Sequence, residues 1–397
     1  QCGAPATLEE TDHLFSCEFC RVKSYLLGRF YQYVLPQSAP KNKELFYYPY
    51  WRFKGMLFNC TANGITHRIL DVSHQAIPSD RFPVSVGLRS QTLKLRFLAP
   101  DMEGYFLKPS VPFQEVVQIV EKRFASMEQN SMFGQSFIGE STSLLYSPFY
   151  SDTKIYDAVL NKPLLSENPG DFNAFSLPGG TPDWNIKFIP AQCPECGWDL
   201  DGARNSLALQ CNNCKTVWQA GKKQFMKLKF GYIPDEGKNV TYLPFWRIKA
   251  DVTGINLGSY ADLVKIANLP KVIQSQWEEQ AFRFWSPAFK VRPQNFMSLS
   301  RNLTLSQPQD RIESALPDRT VHPVTLSIWE AIEGLKMNLA SFMKPPKILY
   351  PKLPEINIKP QSFVLVYIPF YERGTELNQP AYRLRINKNI LKFARYL

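Results

Sequence analysis

The sequence predicts an α+β protein of two duplicated modules, each a cysteine-based zinc ribbon followed by a strand-rich domain with one or two helices. Three observations support this fold class. Cysteines recur at matched spacing, aromatic-proline segments follow each cysteine group, and a helical pattern precedes the closing aromatic segment of each half. A chain of 397 residues is long enough for two or more domains.

The most informative motif lies near mid-chain, where Cys193 and Cys196 form one CxxC pair and Cys211 and Cys214 form another. Two such pairs on facing hairpins can arrange four thiolates as a tetrahedron around one ion. That shell leaves no open position for water or substrate, so we predict a structural zinc site. Iron in a rubredoxin-like site is an alternative, and a thiol–disulfide role is less favoured because all four cysteines fit one closed site.

A second cysteine group lies at the start of the chain, and its ligands are predicted to be Cys2, Cys17 and Cys20. Fourteen residues separate Cys2 from Cys17, as they separate the inner cysteines of the other group. By this register the first zinc site lacks one ligand, which we expect three residues before Cys2, upstream of the given start. His13 is an alternative fourth ligand.

Aromatic-proline segments repeat in the same order in both halves. They occupy residues 47–54 and 146–150 in the first half, and 242–249 and 367–371 in the second. Stacking platforms for peptides or bases are one interpretation. We favour core packing, because proline suits strand ends and large aromatic side chains dominate buried cores.

Periodicity predicts the regular elements. Apolar residues at helical spacing predict helices over 113–127 and 324–342, a shorter helix over 272–284, and a weaker counterpart over 87–97. Partial alternation predicts strands over 51–59, 241–254, 363–371 and 381–386.

These patterns divide the chain into five segments. The expected boundaries are ribbon 1 at 1–27, module 1 at 28–163, a Pro/Gly-rich linker at 164–184, ribbon 2 at 185–222 and module 2 at 223–397.

Two basic pairs are candidate partner-binding residues: Arg52 and Lys54 in one half, Arg247 and Lys249 in the other. Members of each pair lie two residues apart, so on a strand they share a face, and the expected environment of that face is solvent. The two pairs could contact phosphates or an acidic partner.

Other chemistry-bearing residues are weaker candidates. His67, Asp71 and His74 would align on a helix, although their segment lacks a helical pattern. Cys60 is expected to be a buried small hydrophobic residue. The glycines near Lys238 do not match a phosphate-binding loop.

Composition sets broad limits on function. Hydrophobic residues make up 44% of the chain and charged residues 20%, which is typical of a folded protein. No apolar run reaches the ~18 residues that a membrane-spanning helix needs. The formal net charge of +11 permits contact with nucleic acid or an anionic membrane without requiring either. Cysteines arranged for metal binding indicate a reducing compartment.

The cysteine ribbons at 2–20 and 193–214, followed by the Tyr-x-Pro-aromatic-Trp segments, resemble bacterial zinc-ribbon proteins of the transcription-factor-IIB type. Such proteins are largely uncharacterised. Some are likened to primosomal helicases, and others look like accessory proteins of phage-shock or membrane-remodelling gene clusters. The resemblance implies bound zinc and does not transfer an activity.

We therefore expect a non-enzymatic scaffold or adaptor with protein partners, in the cytoplasm or at a membrane periphery. No GxSxG, HExxH, GxGxxG or kinase motif occurs, so no catalytic residue or small-molecule substrate is predicted. The alternative is a nucleic-acid-binding protein that uses the ribbons and basic strands. An enzyme with a cleft between the modules is a third hypothesis, for which the sequence nominates no residue.

Overall fold

A computed structural model describes residues 2, 8–27, 31–125, 132–164, 172–182, 187–221 and 224–394. It mixes α and β structure and is rich in strands, as the sequence predicted. The longest strands curl into two half-barrel sheets, one in each half of the chain.

The first half begins with strands β1 (Leu14–Ser16), β2 (Lys23–Leu27), β3 (Tyr31–Val34), β4 (Leu45–Thr61) and β5 (Gly64–Gln75). It continues with helix α1 (Arg89–Thr92), strands β6 (Arg96–Phe97) and β7 (Tyr105–Leu107), and helix α2 (Phe113–Ala125). Strands β8 (Met132–Ser151), β9 (Ile155–Asp157), β10 (Lys162–Pro163) and β11 (Gly179–Gly180) complete it.

The second half opens with strands β12 (Lys187–Pro190), β13 (Leu200–Asp201), β14 (Ala208–Cys211), β15 (Thr216–Ala220), β16 (Phe225–Lys227), β17 (Phe230–Tyr232) and β18 (Val240–Thr253). Helices α3 (Tyr260–Ile266) and α4 (Gln276–Glu279), strand β19 (Phe284–Pro287), helix α5 (Pro293–Ser306) and strand β20 (Thr320–Val321) follow. The last elements are α6 (Ile328–Glu333), α7 (Leu335–Phe342), α8 (Pro346–Leu349), β21 (Asn357–Arg373), β22 (Glu376–Gln379), β23 (Leu384–Asn387) and α9 (Lys388–Phe393).

Helix α2 confirms the helix predicted from residue 113, and its described part ends at Ala125. The helix predicted over 324–342 is divided into α6 and α7 at Gly334. A Cβ atom at Gly334 would lie 2.9 Å from Ile138 Cδ1, so a larger residue there would displace the end of the Ile138 side chain. A capping box of Ser327 and Glu330 begins α6, three residues later than the start of the apolar pattern.

Two predicted helices are wrong. The segment 272–284 contains only the short α4, and its first apolar residue, Val272, is 88% exposed. Its last residue, Phe284, begins β19 and is buried against β18, so tertiary pairing overrides the apparent helical period. The weaker pattern over 87–97 yields the four-residue α1, and β6 at its end pairs with β3.

A pair of long antiparallel strands forms the centre of each large sheet: β4 with β8, and β18 with β21. A short strand joins each pair in parallel, β3 on β8 and β17 on β21. In both sheets the prolines of the aromatic segments face tyrosines across the pair. The facing residues are Pro49 and Tyr146, Tyr47 and Pro148, Pro244 and Tyr367, and Tyr242 and Pro369.

In each half, a tryptophan of the central strand pair forms a hydrogen bond to the segment just before a helix, α2 in the first half and α6 in the second. The Trp51 indole donates to the Val111 carbonyl at 2.9 Å, and the Trp246 indole donates to the Leu326 carbonyl at 3.0 Å. Each accepting residue lies two positions before the helix, α2 or α6. The aromatic segments are buried here, as expected for core packing: Trp51 is 7% exposed and Trp246 1%.

The two halves share the largest of the hydrophobic core clusters. Met56, Phe58 and Cys60 of β4 and Ile138 of β8 lie in the same buried cluster as the helices of the second half. The rings of Phe58 and Phe296 of α5 are 6.0 Å apart. Cys60 is fully buried, as predicted, and burial raises the pKa of its thiol to about 11.

The two ribbon segments also pack together. Strand β12 pairs with β2, which places residues of both halves in one three-stranded sheet with β1. Strands β13 to β16 form a separate four-stranded sheet. One buried cluster joins the two cysteine-bearing segments and includes Leu14, Tyr25, Cys193, Leu200, Cys211 and Trp218.

Because the halves share a core, we expect Phe58→Ala to destabilise the whole chain by ~3–5 kcal/mol, through lost burial and a residual cavity. Calorimetry should show the two large sheets unfolding together and at a lower temperature than in the wild type. Leu88→Ala is the matched control, because Leu88 is 67% exposed and should contribute little. If calorimetry shows two separate unfolding transitions and Phe58→Ala lowers the temperature of only one of them, the shared core is contradicted.

Candidate metal centres and a cavity between the halves

The four cysteines of the second group converge on one point. The ligand atoms of Cys193, Cys196, Cys211 and Cys214 all lie within 4.8 Å of one another. Cys193 Sγ is 3.5 Å from Cys214 Sγ, and Cys196 Sγ is 3.4 Å from Cys211 Sγ. Such separations suit four thiolates around one cation, and the donor set fits a tetrahedral structural site.

Backbone hydrogen bonds shape the loop that presents Cys193 and Cys196. The Gly197 N–H donates to the Cys193 carbonyl at 2.9 Å, and the Cys193 N–H donates to the Trp198 carbonyl at 2.7 Å. Gly197 has φ +72°, a left-handed conformation that glycine adopts without steric cost. Lys215, directly after Cys214, also has a left-handed backbone conformation, with φ +56°.

The first cysteine group has the same loop geometry. Arg21 has φ +57°, its N–H donates to the Cys17 carbonyl at 2.9 Å, and the Cys17 N–H donates to the Val22 carbonyl at 3.0 Å. The sulfur atoms of Cys2, Cys17 and Cys20 lie within 4.8 Å of one another. The first group is therefore also compatible with a metal ion.

Hydrogen bonds to sulfur favour the thiolate form that a metal requires. The Asn213 side chain and the Trp198 N–H lower the pKa of Cys196 to about 6. Backbone N–H groups of Cys20 and Phe19 lower the pKa of Cys17 to about 7. Burial instead raises the pKa of Cys211 to about 12, so a bound cation would be needed to deprotonate this thiol.

His13 is not part of the first cysteine group, so the alternative fourth ligand is wrong. Its Nδ1 lies 2.8 Å from the Tyr31 hydroxyl oxygen. Burial, with a smaller contribution from Lys290, lowers the pKa of His13 to about 4. Its imidazole is therefore neutral near pH 7.

His13 instead lines a cavity of about 520 Å³ between the halves. Five parts of the chain contribute to its wall: the segment before β1, the first sheet, helix α2, the loop between β13 and β14, and the second half. Ionisable groups in the wall include Glu10, His13, Tyr31, Lys290, His322 and Glu330. Burial lowers the pKa of His322 to about 4 and also lowers that of Lys290. Sequence reasoning missed this cluster because its members are far apart in the chain and match no motif.

The basic pairs do not form the two exposed stripes expected from the sequence. Arg52 is 2% exposed and is held between Asp71 and Glu10, with nitrogen–oxygen distances of 2.7 Å to each. Lys54 and Arg247 are partly buried, and Lys249 is exposed. The prediction of a solvated face is therefore wrong for Arg52, because carboxylates of β5 and the N-terminal segment enclose its guanidinium group.

His67, Asp71 and His74 lie on strand β5, so the helical alignment considered for them does not occur. On a strand, His67 and Asp71 share a face while His74 points to the other. Asp71 is engaged by Arg52 through two hydrogen bonds of 2.8 and 2.7 Å. The three side chains therefore form no common site.

Comparison with known proteins returned no match: no protein-family model, no curated protein and no solved structure is significantly similar to this chain. In the described part of the chain, no helix has the length and apolar character needed to span a membrane.

We expect Cys211→Ser to remove one equivalent of bound metal and to loosen ribbon 2, because three ligands hold the ion far less tightly than four. Elemental analysis of purified protein measures the stoichiometry, and proteolysis between residues 190 and 227 reports the loosening. Cys60→Ala is the matched control. Cys60 is 0% exposed in the shared core, so its substitution should leave the metal content unchanged. An unchanged metal content in Cys211→Ser would contradict the site.

The lowered pKa values of His13 and His322 predict that the stability of the protein depends on pH. Their pKa values of about 4 in the folded protein lie below the ordinary value of 6.5, so the unfolded chain binds protons more readily in this range. The free energy of unfolding should therefore fall as the pH is lowered from about 6.5 to about 4, by up to ~1.4 kcal/mol per pH unit for each histidine.

Urea unfolding across this pH range tests the effect. The double variant His13→Gln/His322→Gln should show a shallower decline than the wild type, whereas His67→Gln, at an exposed position of β5, should not. If the free energy of unfolding of the double variant falls with pH as steeply as that of the wild type, the acid sensitivity must come from other groups.

Proposed function

We propose that the chain is a duplicated protein with two zinc ribbons. The matching strand registers, indole hydrogen bonds and cysteine loops support an internal duplication. Zinc is the ion we assign, because it favours closed tetrahedral thiolate shells and contributes folding energy there. Elemental analysis that finds iron instead of zinc would contradict this assignment.

We further propose that the protein is a non-enzymatic scaffold that binds protein partners through the paired ribbons, in the cytoplasm or at a membrane periphery. The observation that carries this proposal is the exposure of an aromatic side chain at each cysteine loop. Phe19, inside the first CxxC loop, is 74% exposed, and Trp198, next to the second, is 60% exposed. Large apolar side chains held in solvent on a rigid, metal-closed loop are suited to insertion into a partner's apolar pocket.

The common core of the ribbons strengthens this proposal. Because β12 pairs with β2, the two loops belong to one packed unit and can present both aromatic side chains to the same partner. The proposed assignment agrees with the resemblance to zinc-ribbon proteins of the transcription-factor-IIB type.

Nucleic-acid binding receives less support. Arg52, one of the four basic residues considered for it, is buried and paired with carboxylates. Two further lysines are also paired with carboxylates, Lys23 with Asp201 and Lys227 with Glu195. These pairs reduce the positive charge that could displace counterions from a nucleic acid.

Affinity purification of the full chain from its native host, with quantification of each co-purified protein, tests the scaffold proposal. We expect a stoichiometric protein partner whose recovery falls at least ~10-fold in Phe19→Ser/Trp198→Ser, because both apolar anchors are lost. Phe393→Ser is the matched control, since Phe393 is 61% exposed and lies on α9, outside both cysteine loops. Equal recovery with both variants, or a recovered nucleic acid that is lost at ~200 mM salt, would contradict the proposal.

A further inference from the structure

One face of the first large sheet is unusually polar for its position. We call it the tyrosine face; it carries Tyr48 and Tyr50 of β4, Ser147 of β8, Gln75 of β5 and Asp157 of β9, which share a side of the sheet by strand register. Tyr50 and Ser147 are each 0% exposed. Facing positions on adjacent antiparallel strands place these side chains next to one another.

The second large sheet provides a matched comparison, because its strands pair in the same register. Tyr50 corresponds to Phe245, Tyr48 to Leu243, Ser147 to Ile368 and Gln75 to Pro287. The same scaffold is therefore closed by apolar side chains in one half and by hydroxyl and amide groups in the other. The polar groups of the first half are not required to build the sheet.

Four polar atoms at this face have no hydrogen-bond partner within the described chain: Tyr50 Oη, Ser147 Oγ, Gln75 Oε1 and Ser90 Oγ on the adjacent α1. Buried polar atoms of native proteins are almost always hydrogen-bonded, to protein, ordered water or a ligand. A single exception can be tolerated, but a group of them on one face indicates a partner outside the described side chains, such as water or a bound molecule.

The charges at the face constrain that partner. Asp157 is paired with Arg89 and also accepts a hydrogen bond from the Val159 N–H at 2.9 Å, so its charge is compensated. Burial raises the pKa of Tyr50, which keeps its hydroxyl protonated and able to donate. The remaining groups are neutral donors and acceptors, and they suit a neutral hydrogen-bonding ligand better than an ion.

We propose that the tyrosine face encloses a binding site for a small neutral hydroxylated ligand, held by Tyr50, Ser147, Gln75 and Ser90. A cluster of ordered water molecules and an organic polyol share this chemistry. The site belongs to the first half alone, because the corresponding second-half side chains offer no hydrogen-bonding group.

The direction in which the unfolding temperature changes when a hydroxyl is removed tests the site. If Tyr50 and Ser147 bind the ligand, Tyr50→Phe and Ser147→Ala should each lower the unfolding temperature of the full chain by ~2–4 °C. If their hydroxyls have no partner, removing them should instead raise it. Tyr48→Phe is the matched control, because the Tyr48 hydroxyl donates to the Ile77 carbonyl and its loss must be destabilising.

Mass spectrometry distinguishes the two sources of the ligand. Protein purified from its native host is denatured and the released small molecules are analysed, in wild type and in Tyr50→Phe. Lower unfolding temperatures with a released polyol, present in the wild type and reduced in the variant, would identify an organic ligand. Lower unfolding temperatures without such a compound would identify ordered water. An unchanged or raised unfolding temperature in both variants would overturn the proposal.

Discussion

The antiparallel pairing of two long strands in each half is the constraint on which the rest of the structure depends. β4 with β8, and β18 with β21, hold the aromatic-proline segments opposite one another, and the other strands of each large sheet attach to these pairs. The prolines face tyrosines across each pair, and the tryptophans next to them anchor the following helices. Because side chains on a strand alternate between its two faces, one register determines what each sheet buries on both sides.

The strand pairs also connect the halves. The far ends of β4 and β8 pack against helices of the second half, so the core of the second half includes residues of the first. Two further buried clusters belong to the first half alone. The ribbons form a second connection, since β12 of the later segment completes a sheet with β1 and β2. The cavity lined by His13, Lys290 and His322 lies between these two connections, where residues from distant parts of the chain meet.

The two large sheets pair their strands in the same register but differ in the chemistry of matching positions. Arg52 and Arg247 occupy corresponding strand positions, yet Arg52 is enclosed by Asp71 and Glu10 whereas Arg247 is only partly buried. The tyrosine face of the first half corresponds to an apolar face in the second. These differences lie in the side chains, while the backbone pairing of the two sheets is the same.

The sequence by itself determined the features that depend on short-range spacing. The CxxC loops are local turns, so their cysteine groups could be recognised without the fold, as could the helix beginning at residue 113 and the recurring aromatic-proline strands. Only the tertiary structure decided the environments of Arg52, His13 and Tyr50, and the failure of the helix expected over 272–284. The physical reason is that burial, ion pairing and cross-strand contact depend on residues far away in the chain, which no local pattern encodes.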